Sequence, residues 1–340
     1  MTHPLLQGAP TRDAEYEDLL SLWSDLESSL STLLARPLQV QDFPAKVRQI
    51  DAWLQDLVAN DIDAALYLMF QLATTSTVGY SASHALVCGT LCHMMAHELS
   101  LPGSERDSLV RAALTMNIGM TALQDELAEQ RERPTGPQQE AIRQHPQDSL
   151  ALLNRLFIRD ELWLDVVGQH HHAVPEHVPL REQTPVDRLT RILGTIDRYA
   201  AMISPRKSRA GRSATDSVRA IVGQEVNRRD EVTYTLIRLV GLCPPGTFVR
   251  LDNGDTAVVL RRSDSANHPL VASVLDAQGQ HCIPPKLHHT SHGKPCIQSA
   301  LARAAVTLEL DHRTMVRLGW FAAQGHSGLR SLVSGPATLS

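Results

Sequence analysis

Between Asp13 and Arg36 the apolar residues fall at Leu19, Leu22, Trp23, Leu26, Leu30, Leu33 and Leu34, steps of three and four that lay them along one side of a helix. Pro37 ends the run, because its ring removes a backbone N–H donor and blocks continuation. A second helical run carries Val47, Ile50, Trp53, Leu54 and Leu57. Together they predict a helical hairpin that packs on the rest of the chain or on a second subunit. The leucine repeat is too short for a convincing coiled coil, so packing within the chain is the plainer expectation.

From Ile62 to Ile203 the texture stays helical, with breaks at Leu101-Pro102-Gly103, at Pro134 to Pro137 and over the Pro-rich stretch from Ala173 to Pro185. Thr135 with Pro137, and Thr184 with Pro185, supply the cap and first-turn proline of two further helices. Ser204 to Ser213 reads as a basic loop of small residues, and Ser213 to Asp216 as the cap of another helix. Near Cys243 the period changes from helical to alternating. Gly246 to Leu251 and Thr256 to Leu260 flank Asp252-Asn253-Gly254-Asp255, the pattern of a hairpin, and Leu270 to Leu275 predicts a third strand. An amphipathic run from Arg313 to Phe321 closes the chain, and the last dozen residues read as a loose tail. The organisation expected is an N-terminal helical region over 1–62, a helical domain over 63–240 and a β hairpin with a closing segment over 241–340.

Composition narrows the picture. The 340 residues are 43% hydrophobic and 20% charged, which is ordinary globular stock. A formal charge of -5 gives no electrostatic reason to expect a nucleic acid or an anionic membrane as partner. The first twenty residues lack a basic region followed by an apolar run, and nowhere do ~18 apolar residues run uninterrupted, so the cytoplasm is the expected address. Five scattered cysteines (Cys88, Cys92, Cys243, Cys282, Cys296) predict free thiols in a reducing compartment.

Hydrolysing a phosphodiester at neutral pH calls for metal ions, which polarise phosphoryl oxygens and lower the pKa of a bound water; the centres that hold them mix imidazole with carboxylate. Such groups stand here at His84, at His145 before Pro146, at the pair His170-His171 and at Asp197, with Asn117-Ile118-Gly119 between the first two. Taken singly, each histidine reads more simply as a satisfied core or surface group. Cys88 and Cys92 continue the four-residue spacing from His84, but small cysteines on a buried helical stripe read as core. The His- and Cys-rich stretch from His281 to Cys296 matches no zinc-ligand spacing, and Pro284-Pro285 with Gly293 predicts an irregular surface loop. Arg206, Lys207, Arg209 and Arg212 cluster in the loop after Asp197, either as a solvated charged loop or as an anion site.

The order of these pieces resembles the HD-GYP family, in which an early His is followed by His-Asp-Ile-Gly-Lys, a His-Pro helix start, His-His-Glu with a Gly-Tyr-Pro loop, and an Asp. Ala112 to Met120 occupies the His-Asp-Ile-Gly-Lys place, followed by Ile142 to Pro146, Val166 to His171, and Arg191 to Asp197. Gly241 to Leu251 is similar to the family's Pro-x-Gly-Thr-x-Val strand, so the resemblance runs over about 80–275. It implies a mainly α, HD-domain-like helical bundle with a short N-terminal helical region and a small antiparallel β element near the C-terminus. It also implies metal ligands at His84, His145, His170, His171 and Asp197, and a phosphate-side role for Arg206 and Lys207.

Several positions depart from the family. Its His-Asp dyad, one ligand plus a carboxylate bridging two metals, is Met116-Asn117, and its lysine is Met120. Tyr80 stands where many members place a glutamate, His172 follows the double histidine, and the Gly-Tyr-Pro loop is missing. A thioether is too soft for hard ions, and a neutral amide bridges two cations poorly. The expectation is therefore no metal or one divalent ion (iron, manganese or zinc). The chain is expected to be a degenerate signalling relative of cyclic di-GMP phosphodiesterases with lost or weak catalysis. It would bind a cyclic dinucleotide or a protein partner, as a possible homodimer through the N-terminal helices. The alternative is a working metal-dependent phosphodiesterase with a reduced site.

Overall fold

A computed structural model describes residues 12–75, 79–175, 178–204, 207, 215–217, 220, 230–263, 268–302 and 305–333. The first leucine stripe forms helix α1 (Arg12–Ala35), with Leu19, Trp23, Leu26, Leu30, Leu33 and Leu34 buried. Helix α2 (Phe43–Asn60) begins where the Asp42 side chain accepts from the Ala45 amide at 3.1 Å, and Pro44 fills the first turn. The hairpin buries its stripes within the chain, against α4 (Tyr80–Glu98) and α5 (Gly103–Thr115). Buried Asp51 of α2 holds Arg111 of α5 at 3.0 Å, which adds a polar tie to the apolar contact.

Helix α4 is buried on nearly every face, as a helix apolar all round must be. Around it lie α1, α2, α3 (Ile62–Thr75), α5, α6 (Thr121–Glu129), α9 (Pro185–Ile203) and α10 (Glu231–Val240). Helices α7 (Gly136–Arg155) and α8 (Glu161–Gln169) pack on each other and extend the bundle. The caps predicted at Thr135 and Thr184 are in place, and Asp230 supplies one that was not predicted. Thr135 and Gln138 form a reciprocal capping box at α7, the Asp187 amide donates to Thr184 Oγ1 at 3.2 Å, and the Thr233 amide donates to Asp230 at 2.7 Å. No described helix is long and apolar enough to cross a membrane.

The C-terminal part is an antiparallel sheet of strands β1 (Phe248–Leu251), β2 (Thr256–Arg261), β3 (Leu270–Leu275), β4 (His281–His289) and β5 (Ile297–Leu301), ordered β4-β3-β2-β1-β5. The register Phe248↔Val258 sends Phe248, Val258, Leu260, Ala272 and Val274 into the helical core. Val249, Leu251, Ala257, Val259 and Val271 form a second small core on the other face. Ion pairs from Arg261 to Asp61 at 2.7 Å and from Arg262 to Asp63 at 2.6 Å tie β2 to the start of α3.

Two expectations are corrected. His281–His289 is a strand rather than an irregular loop; as an edge strand with no outer neighbour among the described residues it tolerates Pro284 and Pro285, whose missing N–H groups interrupt no second ladder. Helix α11 (His312–Val333) runs past Phe321 and takes in 329–333 of the predicted tail, while 334–340 lie outside the described residues. Ser213, the predicted cap, also lies outside them, but 215–217 are helical.

Candidate metal centre

His145 sits inside α7 and His170 ends α8, and both are almost fully buried. His145 Nδ1 is 2.6 Å from the Ile142 carbonyl, and His170 Nδ1 is 2.7 Å from the Val167 carbonyl. A carbonyl oxygen only accepts, so each ring donates from Nδ1 and presents a bare lone pair at Nε2. Those two Nε2 atoms face each other at 3.1 Å. The repulsion needs a shared positive partner. A proton fits poorly: burial, followed by the charge of His171, pushes His170 down to about 3, and burial foremost lowers His145 as well.

A divalent cation fits well. Two nitrogens bound at ~2.0–2.1 Å to one tetrahedral ion lie about 3.3 Å apart. Exposed His171 completes the set, its ring centroid 4.2 Å from that of His170 and 5.1 Å from that of His145. The three ligand nitrogens lie within 4.8 Å of one another. Gly194 permits the approach of α9, since a Cβ there would meet the His170 carbonyl oxygen at 2.9 Å.

A second group forms between α4 and α9. His84 Nε2 lies 2.9 Å from Asp197 Oδ1, and Cys88 Sγ is 3.6 Å from the same nitrogen. Burial alone would raise the Asp197 carboxyl. The hydrogen bond and charge of His84, ahead of the other histidines nearby, outweigh it and hold Asp197 well below the usual carboxylate range. The Cys88 thiol is pushed well up by burial and then by the Asp197 charge. Tyr80 stacks on the His84 ring at 5.6 Å and 13°, fixing its plane.

Met116 is buried, 1% exposed, and half-buried Asn117 opens a 3₁₀ turn over Ile118–Met120. That turn lies against α7: the Gly119 amide donates to Ser149 Oγ at 3.0 Å, one turn after His145. Among the described residues the groups that could hold a metal are His145-His170-His171 and His84-Cys88-Asp197, and they share no residue. The predicted ligands His84, His145, His170, His171 and Asp197 are thus gathered, but into two sets. Cys88, whose four-residue spacing from His84 was weighed from the sequence and read as core, is buried and also falls within the second group. Lys207 pairs with Glu129 at the surface, and Arg206 lies outside the described residues. His288 hydrogen-bonds Ser273 at 2.9 Å.

Residues 65–231 match the model of the HD domain family. Over 204 residues the chain is 28% identical to cyclic di-GMP phosphodiesterase PA4108 of Pseudomonas aeruginosa, an alignment covering 58% of this chain and 48% of that protein. The chain therefore spans about half the length of the curated relative it matches. Bd1817, an HDG"Y"P protein from Bdellovibrio bacteriovorus, superposes with a TM-score of 0.49 and 11% identity over 69% of this chain and 73% of that one, too distant to bear on the site. Residues 65–231 are thus similar to HD domains, and the chain is similar to a protein named as a cyclic di-GMP phosphodiesterase.

Proposed function

We propose that this chain is an HD-GYP-like signalling protein of the cytoplasm that binds a cyclic dinucleotide and turns it over weakly or not at all. One observation carries the proposal: the two ligand groups have no residue in common, and the place of a bridging carboxylate belongs to uncharged Asn117. A divalent ion at the three histidines would supply charge against a phosphoryl oxygen. His145 and His170, their Nδ1 protons anchored by carbonyls, orient two lone pairs toward one point, and exposed His171 puts that point at the surface. Asp197 keeps its negative charge beside them and repels a phosphate that approaches without a cation. A homodimer through the N-terminal helices would rest on residues such as Leu22, 38% exposed, because the main stripes of α1 and α2 already face the core.

The test is incubation of the purified chain with cyclic di-GMP and manganese or iron, with binding followed by calorimetry and products by chromatography. Binding with little conversion is expected, and rapid conversion would overturn the proposal. The second reading, a working phosphodiesterase on a reduced site, draws on the three convergent histidines and on the activity named for the Pseudomonas aeruginosa relative. It requires that turnover be present and that His170→Ala abolish it.

A further inference from the structure

We infer that His84, Cys88 and Asp197 form a separate mononuclear site for a thiophilic divalent ion of the zinc class. The inference goes beyond the proposed function, which places an ion only at the three histidines; His84 and Asp197 are ligands the HD-GYP resemblance implies, and the new element is Cys88, a position outside that set.

Placement comes first. His84 and Cys88 are one turn apart on α4, so their side chains leave the same face of the helix, and Asp197 faces them from α9. All three ligand atoms lie within 4.8 Å of one another, and both His84 and Cys88 are more than nine-tenths buried. Distances come next. A nitrogen at ~2.0–2.1 Å and a sulfur at ~2.3 Å from one tetrahedral ion are about 3.6 Å apart. Cys88 Sγ and His84 Nε2 are 3.6 Å apart. The carboxylate, now 2.9 Å from the same nitrogen, would need to withdraw by only about half an ångström to become the third ligand.

The donor chemistry then selects the ion. Thiolate, imidazole and carboxylate together suit zinc or cobalt, whereas magnesium, calcium and manganese prefer oxygen. Three protein ligands leave a fourth position open, as in sites where a bound group is exchanged. Tyr80, stacked on His84 where many HD-GYP members are expected to place a glutamate, shields the imidazole with an aromatic face in place of a fourth hard donor.

The test uses the full chain, reduced and freed of metal with a chelator, then titrated with cobalt(II). A near-ultraviolet thiolate-to-cobalt charge-transfer band is expected, and zinc should quench it. Cys88→Ser should remove the band and lower cobalt uptake from two equivalents to one, whereas Cys92→Ser, one turn further along α4, should keep the band. His170→Ala should also keep it, which separates this site from the three-histidine group. Absence of the band from the native chain overturns the inference, as does its survival in Cys88→Ser. If Cys88→Ser fails to fold, Cys88→Ala takes its place, with the same loss of the band expected and its survival overturning the inference.

Discussion

Replacing Gly119 by alanine tests the packing that places the 116–120 turn against the helix of His145. A Cβ at residue 119 would lie 2.7 Å from the Ser149 amide nitrogen, 2.9 Å from the Asp148 carbonyl carbon and 3.0 Å from Asp148 Cβ. The first two are backbone atoms in the middle of α7, so the turn must move outward and weaken the bond from the Gly119 amide to Ser149 Oγ. Overpacking of this kind costs ~1–3 kcal/mol. At ~2–4 °C per kcal/mol for a domain of this size, the melting temperature should fall by roughly 2–12 °C. Gly136→Ala is the matched control: it sits at the first position of α7 with nothing within 4 Å of its Cβ. Alanine there should be neutral or stabilise by ~0.4–1 kcal/mol. Thermal and urea unfolding followed by circular dichroism read both changes. Equal melting temperatures for the two variants would refute the contact between turn and helix.

Three further outcomes follow from the same geometry. Asp230→Asn should destabilise the fold, because it removes the carboxylate that pairs with Arg191, 7% exposed, and the charge that caps its helix. Burial works to raise the Asp230 carboxyl, but hydrogen bonds from Thr233 and Arg191 prevail and lower it. The native advantage over Asp230→Asn is therefore present above the ordinary carboxylate value of ~3.9 and fades as pH falls through the lower folded value; urea midpoints across acid pH measure it, and a gap that widens toward acid would be the wrong sign. The pair of changes Met116→His and Asn117→Asp should raise manganese- or iron-dependent hydrolysis of cyclic di-GMP above the native level, and a folded double variant with unchanged turnover would show that the dyad is not what is missing. Arg262→Ala should loosen β2 from α3 by removing its 2.6 Å pair with Asp63 and its bond to the Leu239 carbonyl; faster proteolysis within the sheet is expected, with the far-ultraviolet helix signal retained.

Much of the fold was legible because its signals are local. The leucine stripes of α1 and α2, the Thr135 and Thr184 caps and the first three strands each follow from spacing within a few residues. His281–His289 was not legible, because two prolines argue against a strand unless its outer edge is free, and that is a property of the whole sheet. The same limit applies at the metal centre. The order of histidines picked out residues that the fold gathers, but their division into two sets depends on how α9 lies between α4 and α8. Cys88 reads from the sequence as a core residue, and only the approach of Asp197 from α9 groups it with His84 and a carboxylate.

Electron paramagnetic resonance of the manganese-loaded chain, with Mössbauer spectra of the iron-loaded form, addresses the missing bridge most directly. With Asn117 in place of a shared carboxylate, every bound ion should give the signal of an isolated centre, whatever the total number bound. A magnetically coupled pair of ions would contradict this, because the position expected to hold the shared carboxylate carries the uncharged amide of Asn117.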